Sequence, residues 1–383
     1  MKKQATKGKV LSACVLSALG TAAHAQNSVT LYGVIDSGLN YTTNAGGHSG
    51  FQMVSGDANA SRWGLRGTED LGGGLKAIFK LENGFNAFTG TLGQGGREFG
   101  RQAYVGLTSD RFGTLTLGRQ YDASLDMWSP FAAAGWSIGD LSSHPFDNDN
   151  ADWDYRTNNS VKYVTPAYRG LQAEAVYGFS NEAGGFKDNR SYSGGVSYAM
   201  GGLSAAVAYV RTDRAGTTTG GAVGNDAVFV AGSQQNLGAG VRWTFANNSN
   251  VAFSYSHVQV DDPTANAYLS SLGSQAWKSW KFDNFEINGQ YFITSAVSVA
   301  GSYTFTHADL KTSTDAHSPN WHQIALMADY ALSKRTTAYA QGAWQHASGG
   351  TGTAFDQAQI VGSAGASSSG NQMVYRIGMM HRF

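Results

Sequence analysis

The stretch Met373-Val-Tyr-Arg-Ile-Gly-Met-Met-His-Arg-Phe383 alternates in character along its length and ends on an aromatic residue. As a strand, it would place six larger side chains on one face: Met373, Tyr375, Ile377, Met379, His381 and Phe383. Its other face would carry Val374, Arg376, Gly378, Met380 and Arg382. In a transmembrane β-barrel, lipid-facing and lumen-facing side chains alternate in this way. The segment therefore predicts the closing strand of such a barrel.

The same period of two recurs along the chain. For example, an apolar row at Leu237, Ala239 and Val241 opposes small or polar residues at Asn236, Gly238 and Gly240. Sixteen segments of this kind start near Val29, Arg62, Leu75, Arg101, Thr114, Ser160, Leu171, Ser191, Leu203, Asn236, Val251, Asn284, Val297, Gln323, Thr336 and Met373. An even number of strands lets a barrel keep both chain ends on one side. We therefore predict an all-β fold, a 16-stranded antiparallel transmembrane β-barrel.

The connections between these segments alternate between short and long. The short ones are Asp70–Gly74, Ser109–Gly113, Thr165–Gly170, Ala199–Gly202, Ala246–Asn250, Thr294–Ala296 and Leu332–Arg335. The long ones are Asp122–Asn158, Arg211–Ser233, Asp261–Lys281, Asp309–Asn320 and Ala347–Gln372. Short turns on one side and long loops on the other are typical of bacterial outer-membrane barrels. A soluble β-sandwich, which is the alternative for an exported chain of this composition, has no reason to sort its loops in this way.

The first 25 residues have the features of a secretory leader. A basic start is followed by an apolar stretch from Val10 to Gly20 and by Ala23-His24-Ala25, an A-x-A cleavage site. We expect residues 1–25 to be a cleaved signal peptide and residues 26–383 to form the barrel. The sequence around Cys14 resembles a lipoprotein signal, but its apolar core follows the cysteine instead of preceding it. Cleavage after Ala25 would remove this single cysteine.

Composition supports the same class of protein. Charged residues make up 14% of the chain, below the roughly 25% of soluble domains. Removal of four leader lysines leaves 23 basic residues against 27 acidic ones, a net charge of −4. This balance does not indicate a nucleic-acid partner. Six strands carry an aromatic residue near the short-turn end, as expected at a lipid–water boundary: Tyr163, Tyr198, Phe245, Tyr291, Tyr330 and Phe383.

Several segments resemble the Gram-negative general porins of the neisserial and burkholderial type. They include Ser28-Val-Thr-Leu-Tyr-Gly-Val-Ile-Asp36, Ser61-Arg-Trp-Gly-Leu-Arg-Gly-Thr-Glu-Asp-Leu-Gly72, Arg101-Gln-Ala-Tyr-Val-Gly-Leu107, Gly113-Thr-Leu-Thr-Leu-Gly-Arg-Gln120, Asn159-Ser-Val-Lys-Tyr163 and His381-Arg-Phe383. The resemblance implies a homotrimer of barrels in the outer membrane of a Gram-negative bacterium, in contact with lipid and lipopolysaccharide. It also implies that the third long loop, here residues 122–158, folds into the barrel and narrows it.

The polar face of the second and third predicted strands supplies candidate lining residues. Alternation puts Arg62 and Arg66 on the wet face, and Lys80 on the wet face of the next strand. Charge on the lipid face would cost roughly 2–4 kcal/mol at mid-membrane. A structural alternative is that Arg62 or Arg66 forms an ion pair with Glu69 or Asp70 and only braces the wall.

The resemblance points to Arg62, Arg101 and Arg156 as a basic cluster at the constriction, to which we add Arg119 at the start of the loop. Arg101 shares the parity of the apolar Val105 and Leu107. Therefore either the small face is inward there, or a bulge intervenes, or Arg101 faces another subunit. We expect loop acids to oppose the cluster, with Asp122, Asp126 and Asp140 as candidates.

These residues predict a general diffusion channel for small hydrophilic solutes and ions, with a mild preference for anions. The alternative is a substrate-specific channel for a sugar or organic acid, with the loop residues Trp128, Trp136 and Trp153 as an aromatic path. No histidine lies in a G-x-S-x-G or H-E-x-x-H setting, so we do not expect an enzyme. The sequence predicts no cofactor and no metal site.

Overall fold

The computed structural model describes residues 28–269, 272–273 and 275–383. The predicted signal peptide, residues 1–25, lies outside the described residues. No helix in the described part of the chain is long and apolar enough to cross a membrane.

Sixteen antiparallel strands close into a barrel, which confirms the predicted fold class. The first eight are β1 (Ser28–Ala45), β2 (His48–Ser55 and Arg62–Gly72), β3 (Leu75–Gly84), β4 (Gln102–Ser109), β5 (Gly113–Gln120), β6 (Thr157–Val164), β7 (Leu171–Gly178) and β8 (Arg190–Met200). The second eight are β9 (Leu203–Asp213), β10 (Ser233–Thr244), β11 (Asn250–Asp261), β12 (Trp277–Phe292), β13 (Val297–Thr312), β14 (Asn320–Ala331), β15 (Thr336–Ser348) and β16 (Asn371–Arg382). Two-residue strands lie in the connections at Phe229–Val230, Ala265–Asn266 and Ala316–His317.

The last strand closes the barrel against the first. The register runs from Val34 opposite Arg382 to Thr42 opposite Val374. At the end of this ladder the backbones of Gly33 and Phe383 exchange two hydrogen bonds of 3.0 Å. Closure pairs the first and last barrel strands, so neither is left as an open edge, which a strand in hydrocarbon could not tolerate.

The first hairpin differs from expectation. Alternation placed the second strand from about Arg62, but β2 already begins at His48, directly after a two-residue turn at Gly46-Gly47. Both glycines have positive φ, +61° and +96°, as tight hairpin turns require. The strand is interrupted at residues 56–61, where Asp57 lies inside the barrel with its carboxylate 3.4 Å from Arg376.

The two faces of the sheet have opposite character. On β16, Ile377 is 63% exposed on the outside whereas Arg376 is 1% exposed on the inside. On β12, Ile287 is 54% exposed and Glu286 is fully buried inside. Outer apolar and inner polar side chains are the reverse of a soluble barrel, as predicted for a wall between lipid and water.

An apolar cluster that the alternation did not predict fills part of the barrel at the end with the long loops. Trp280, Phe282 and Leu310 point inward there, and Phe146, Phe229 and Phe355 from three loops pack on them. This cluster, which we call the apolar cap, packs against the long-loop ends of β11 to β14. It leaves the opposite side of the interior, near β1 to β5, as the more polar side.

The connection between β5 and β6 is folded into the interior, as predicted. It contains five short helical segments: Ser124–Trp128, Ser129–Phe131, α1 (Ala133–Trp136), Asp140–Ser142 and Pro145–Asp147. Residues 141–151 of this third loop are all buried. Such burial is possible only if the loop's backbone groups find hydrogen-bond partners inside the barrel.

Candidate functional site

Side-chain amides on the barrel wall bind the carbonyl groups of the third loop. Gln323 on β14 donates to the carbonyls of Leu141 and Ser143, each at 3.0 Å. Three further amides act alike: Asn288 donates to Phe131, Gln341 to Ile138 and Asn236 to Asp149. These amides lie on β10, β12, β14 and β15. They attach the loop to one side of the barrel.

Glu286 on β12 is the central acceptor of this attachment. Its carboxylate accepts from the backbone N–H of Ala133 at 2.8 Å and lies 3.1 Å from Nε2 of His144. The other ring nitrogen of His144 lies 2.6 Å from Asp149, and all three charged side chains are fully buried. Burial alone would lower the pKa of His144, but the two carboxylates outweigh it and raise the pKa to about 10. The imidazole is therefore charged and bridges loop and wall.

Glycines on β10 make room for large loop side chains. A Cβ atom on Gly238 would lie 2.3 Å from the ring of Trp128, and one on Gly240 would lie 2.4 Å from Phe131. Trp128 is fully buried in this seat. It therefore does not offer an aromatic surface to the interior, in contrast to the role considered for it from the sequence.

On the opposite side, lysine and arginine residues outnumber carboxylates. Glu82 on β3 lies 3.0 Å from Arg101, 3.3 Å from Lys80 and 3.9 Å from Arg62. It also accepts a hydrogen bond of 2.7 Å from Tyr32. One carboxylate thus faces three cations, which leaves an excess of positive charge. We call this set the basic wall.

Arg66 and Arg156 extend the basic wall. Arg66 stands opposite Lys80 in the strand pairing, 5.4 Å from the ring of Tyr32. Arg156 donates to the hydroxyl of Tyr121, which also accepts from Arg101. Within the described ranges neither Arg66 nor Arg156 has a carboxylate in ion-pair contact.

The structure answers two questions that the sequence left open: the partner of Arg62 and the direction of the Arg101 side chain. Arg62 donates to Asn59 and to the carbonyl of Ala60, and its nearest carboxylate is Glu82, not Glu69 or Asp70. Arg101 lies at a bend just before β4, so it does not follow the strand's alternation. Its side chain turns inward to Glu82 while Val105 and Leu107 face outward.

Acidic residues of the third loop face the basic wall across a small cavity. The cavity has a volume of about 160 Å³, and its charged and aromatic lining consists of Arg62, Arg101, Trp136, Asp140, Asp152 and Trp153. Burial, with repulsion from neighbouring carboxylates, raises the pKa of Asp140 well above its usual value. The same causes raise the pKa of Asp152 to about 7.

Asp147, Asp152 and Asp154 form a close carboxylate group. Their oxygen atoms lie within 4.8 Å of one another, close enough to share a cation. Burial and mutual repulsion raise the pKa of Asp147 well above its usual value. Burial also raises the pKa of Asp154, which accepts a hydrogen bond from Tyr268. A bound proton therefore relieves the same repulsion that a cation would.

Three of the predicted residues have other partners. Arg119 pairs with Asp226 of the loop between β9 and β10, which also lies 3.7 Å from Arg97. Asp126 pairs with Lys162 on β6. Asp122 accepts backbone hydrogen bonds from Ser124 and Leu125, and burial raises its pKa to about 6. Asp140 is the one of the three proposed acids that borders the cavity with Arg62 and Arg101.

A second cavity of about 280 Å³ adjoins the first toward the short-turn end. It shares Ala58, Asn59 and Trp136 with the first cavity and is also bordered by Asp329 and Arg382. The first cavity lies between the third loop and the basic wall, and the second is lined by the short-turn ends of β12 to β16.

Sequence reasoning did not select Glu82 or Asp152 for the site, and it named Trp136 only for the alternative of a substrate-specific channel. Glu82 could have been predicted from the sequence, because alternation places it on the same wet face as Lys80. Asp152 is one of several acids in the loop, and only its folded position separates it from the others.

The outer face carries the six predicted boundary aromatics. Tyr163, Phe245, Tyr291, Tyr330 and Phe383 are between 41% and 57% exposed, and Tyr198 is half-buried. A surface depression of about 1050 Å³ lies beside Phe245 and Tyr291 on this outer face. It is therefore a feature of the lipid-facing surface and is separate from the charged interior.

Comparison with known proteins gives a consistent result. The sequence profile of a family described as Gram-negative porin matches residues 12–350. A segment of 234 residues is 40% identical to an outer membrane porin protein of Bordetella pertussis, covering 53% of this chain and 59% of that protein. The chain thus spans about three fifths of this relative. A major outer membrane protein P.IB of Neisseria meningitidis serogroup B is 27% identical over 98% of this chain and 99% of its own length.

Among solved structures, the anion-selective porin from Comamonas acidovorans superposes with a TM-score of 0.72. It is 25% identical, and the match covers 93% of this chain and all of that chain.

The seat of Trp128 allows a direct test of the loop's attachment. We expect Gly238→Ala to displace the Trp128 ring, because the added Cβ would lie 2.3 Å from it. Overpacking a filled site typically costs about 1–3 kcal/mol of stability. Thermal unfolding in detergent should occur at a lower temperature than in the wild type. Gly342→Ala on the outer face is the control, because its nearest contact would be an ordinary 3.6 Å. Equal losses in the two variants would contradict a seat specific to Gly238.

Proposed function

Because the chain belongs to the Gram-negative porin family, we propose that it forms a water-filled channel for passive diffusion of small hydrophilic solutes and ions across the outer membrane, with a mild preference for anions. A channel of this kind performs no reaction. It lowers the barrier to crossing hydrocarbon and selects by bore and lining charge. The two adjoining cavities, which share Ala58, Asn59 and Trp136, support a path past the third loop.

The observation that carries the anion preference is the charge ratio around Glu82. This single carboxylate is shared by Arg101, Lys80 and Arg62. A surplus of fixed positive charge raises the local concentration of anions and repels cations. The acids across the cavity reduce the effect, because any that are ionised attract cations. Their raised pKa values weaken this opposition, so the net preference is for anions.

Pore-lining roles follow from this arrangement. Arg62, Arg66, Lys80, Arg101 and Arg156 would form the cationic side of the constriction, and Asp140 with Asp152 the opposite side. Arg119, Asp122 and Asp126 would act by holding the first part of the loop, since each has a partner of its own.

The test is the reversal potential in a KCl gradient across a planar bilayer. We expect the wild type to favour chloride, and the double variant Arg62→Gln/Arg101→Gln to shift the reversal potential toward potassium by removing two fixed charges. Lys334→Gln, on an exposed turn at the short-turn end, should leave it nearly unchanged. Clear potassium selectivity of the wild type would contradict the proposal, and so would a double variant that behaves like the control.

Selectivity should also depend on pH. A carboxyl group is neutral below its pKa, and the pKa of Asp152 is about 7. Lowering the pH from about 8 to about 6 should therefore remove negative charge opposite the basic wall and increase the chloride preference. Asp152→Asn should show the stronger chloride preference already at the higher pH and a flatter dependence. Asp315→Asn, in an exposed loop, is the control and should follow the wild type.

We further propose that the channel is a homotrimer, as the family resemblance implies. Exposed apolar residues on the first two strands, among them Leu31, Phe51 and Met53, offer a surface for subunit contact. Unheated protein should migrate in detergent gels as a trimer, and insertions into a bilayer should close in three equal conductance steps. A single step for every insertion, together with a monomer mass in light scattering, would exclude the trimer.

A further inference from the structure

Trp136 is unusual among the aromatic residues of the interior. It is the last residue of α1 in the third loop, is 52% exposed and borders both cavities. Trp128 is fully buried, and Trp153 is half-buried with its indole N–H donated to Ser129 at 2.6 Å. An exposed indole in a water-filled passage leaves a large apolar surface unpaired.

The ring of Trp136 is held from one side. The guanidinium of Arg242 lies 4.1 Å from the ring centroid, in cation–π contact, and also donates to the carbonyl of Pro130. Arg242 borders neither of the two cavities, so it supports the ring from behind and does not itself line the path. The indole is thus a fixed aromatic surface, and its exposed part faces the cavities.

Arg62 and Arg101 of the basic wall border the same 160 Å³ cavity as Trp136. Arg62 keeps 26% of its side chain exposed, and both arginines share the single carboxylate of Glu82. The cavity is well below the roughly 300–1,000 Å³ of sites for drug-sized ligands. It therefore combines a cationic side and an aromatic side at a size suited to one small ring.

We propose that the constriction binds small aromatic carboxylates, such as benzoate, with the carboxylate on Arg62 and Arg101 and the ring against the exposed face of Trp136. This inference rests on the proposed channel function and specifies a solute class for it. A neutral sugar would use the aromatic surface alone, and an aliphatic acid would use the cations alone. An aromatic carboxylate uses both.

The experiment is block of single-channel KCl current by three probes: benzoate, acetate and benzyl alcohol. Benzoate should block the wild type at millimolar concentration, whereas acetate, which has only the charge, and benzyl alcohol, which has only the ring, should block weakly. Trp136→Leu should raise the half-blocking benzoate concentration about fivefold, the effect expected from loss of one aromatic contact. Trp344→Leu on the outer face is the matched control and should keep wild-type block.

Trp136→Phe provides a second variant that keeps a ring, and it should retain part of the benzoate block. Equal block by benzoate and acetate would overturn the inference, as would full benzoate block in Trp136→Leu. A channel that conducts KCl but is not blocked contradicts the aromatic-carboxylate site alone. Purified protein that inserts and conducts no KCl would instead contradict the channel function.

Discussion

The structure depends on hydrogen bonds between the barrel wall and the backbone of the third loop. A loop inside the barrel would leave carbonyl and N–H groups unsatisfied in a partly dry interior, which costs free energy at each group. Gln323, Gln341 and Asn288 supply donors to its carbonyls, and Glu286 accepts from its backbone N–H. The polar inner face therefore serves two purposes. It binds the loop, and it borders the cavities that the loop leaves open.

This division also separates the charges. Near the loop's attachment, the imidazolium of His144 lies between the buried carboxylates of Glu286 and Asp149. On the far side, Glu82 is outnumbered by its cationic neighbours. Ion pairs that are satisfied locally contribute little field to the passage, whereas unmatched charges at the narrowest point act on every passing ion. The surplus on the basic wall is consequently more informative about selectivity than the net charge of the whole chain.

The sequence predicted the barrel well because its signal is local. Period-two alternation, loop parity and the wet-face positions of Arg62 and Lys80 follow from single strands. Ion-pair partners could not be read in this way. Arg119 meets Asp226 from a loop more than 100 residues away, and Asp126 meets Lys162, because folding brings distant segments together. The early start of β2 was missed because Gly46-Gly47 lies inside a polar, glycine-rich stretch that has the composition of a loop.

Three kinds of contact hold the third loop: hydrogen bonds from amides of the barrel wall, the glycine seats that receive Trp128, and the packing of Phe146 within the apolar cap. Moving the loop as a unit would break all three at once, and packed interiors resist such displacement. The width of the passage is therefore a built property of the fold. Evolution can adjust what passes by exchanging the few side chains that border the cavity, such as Arg62 and Trp136, because none of the three contacts runs through them.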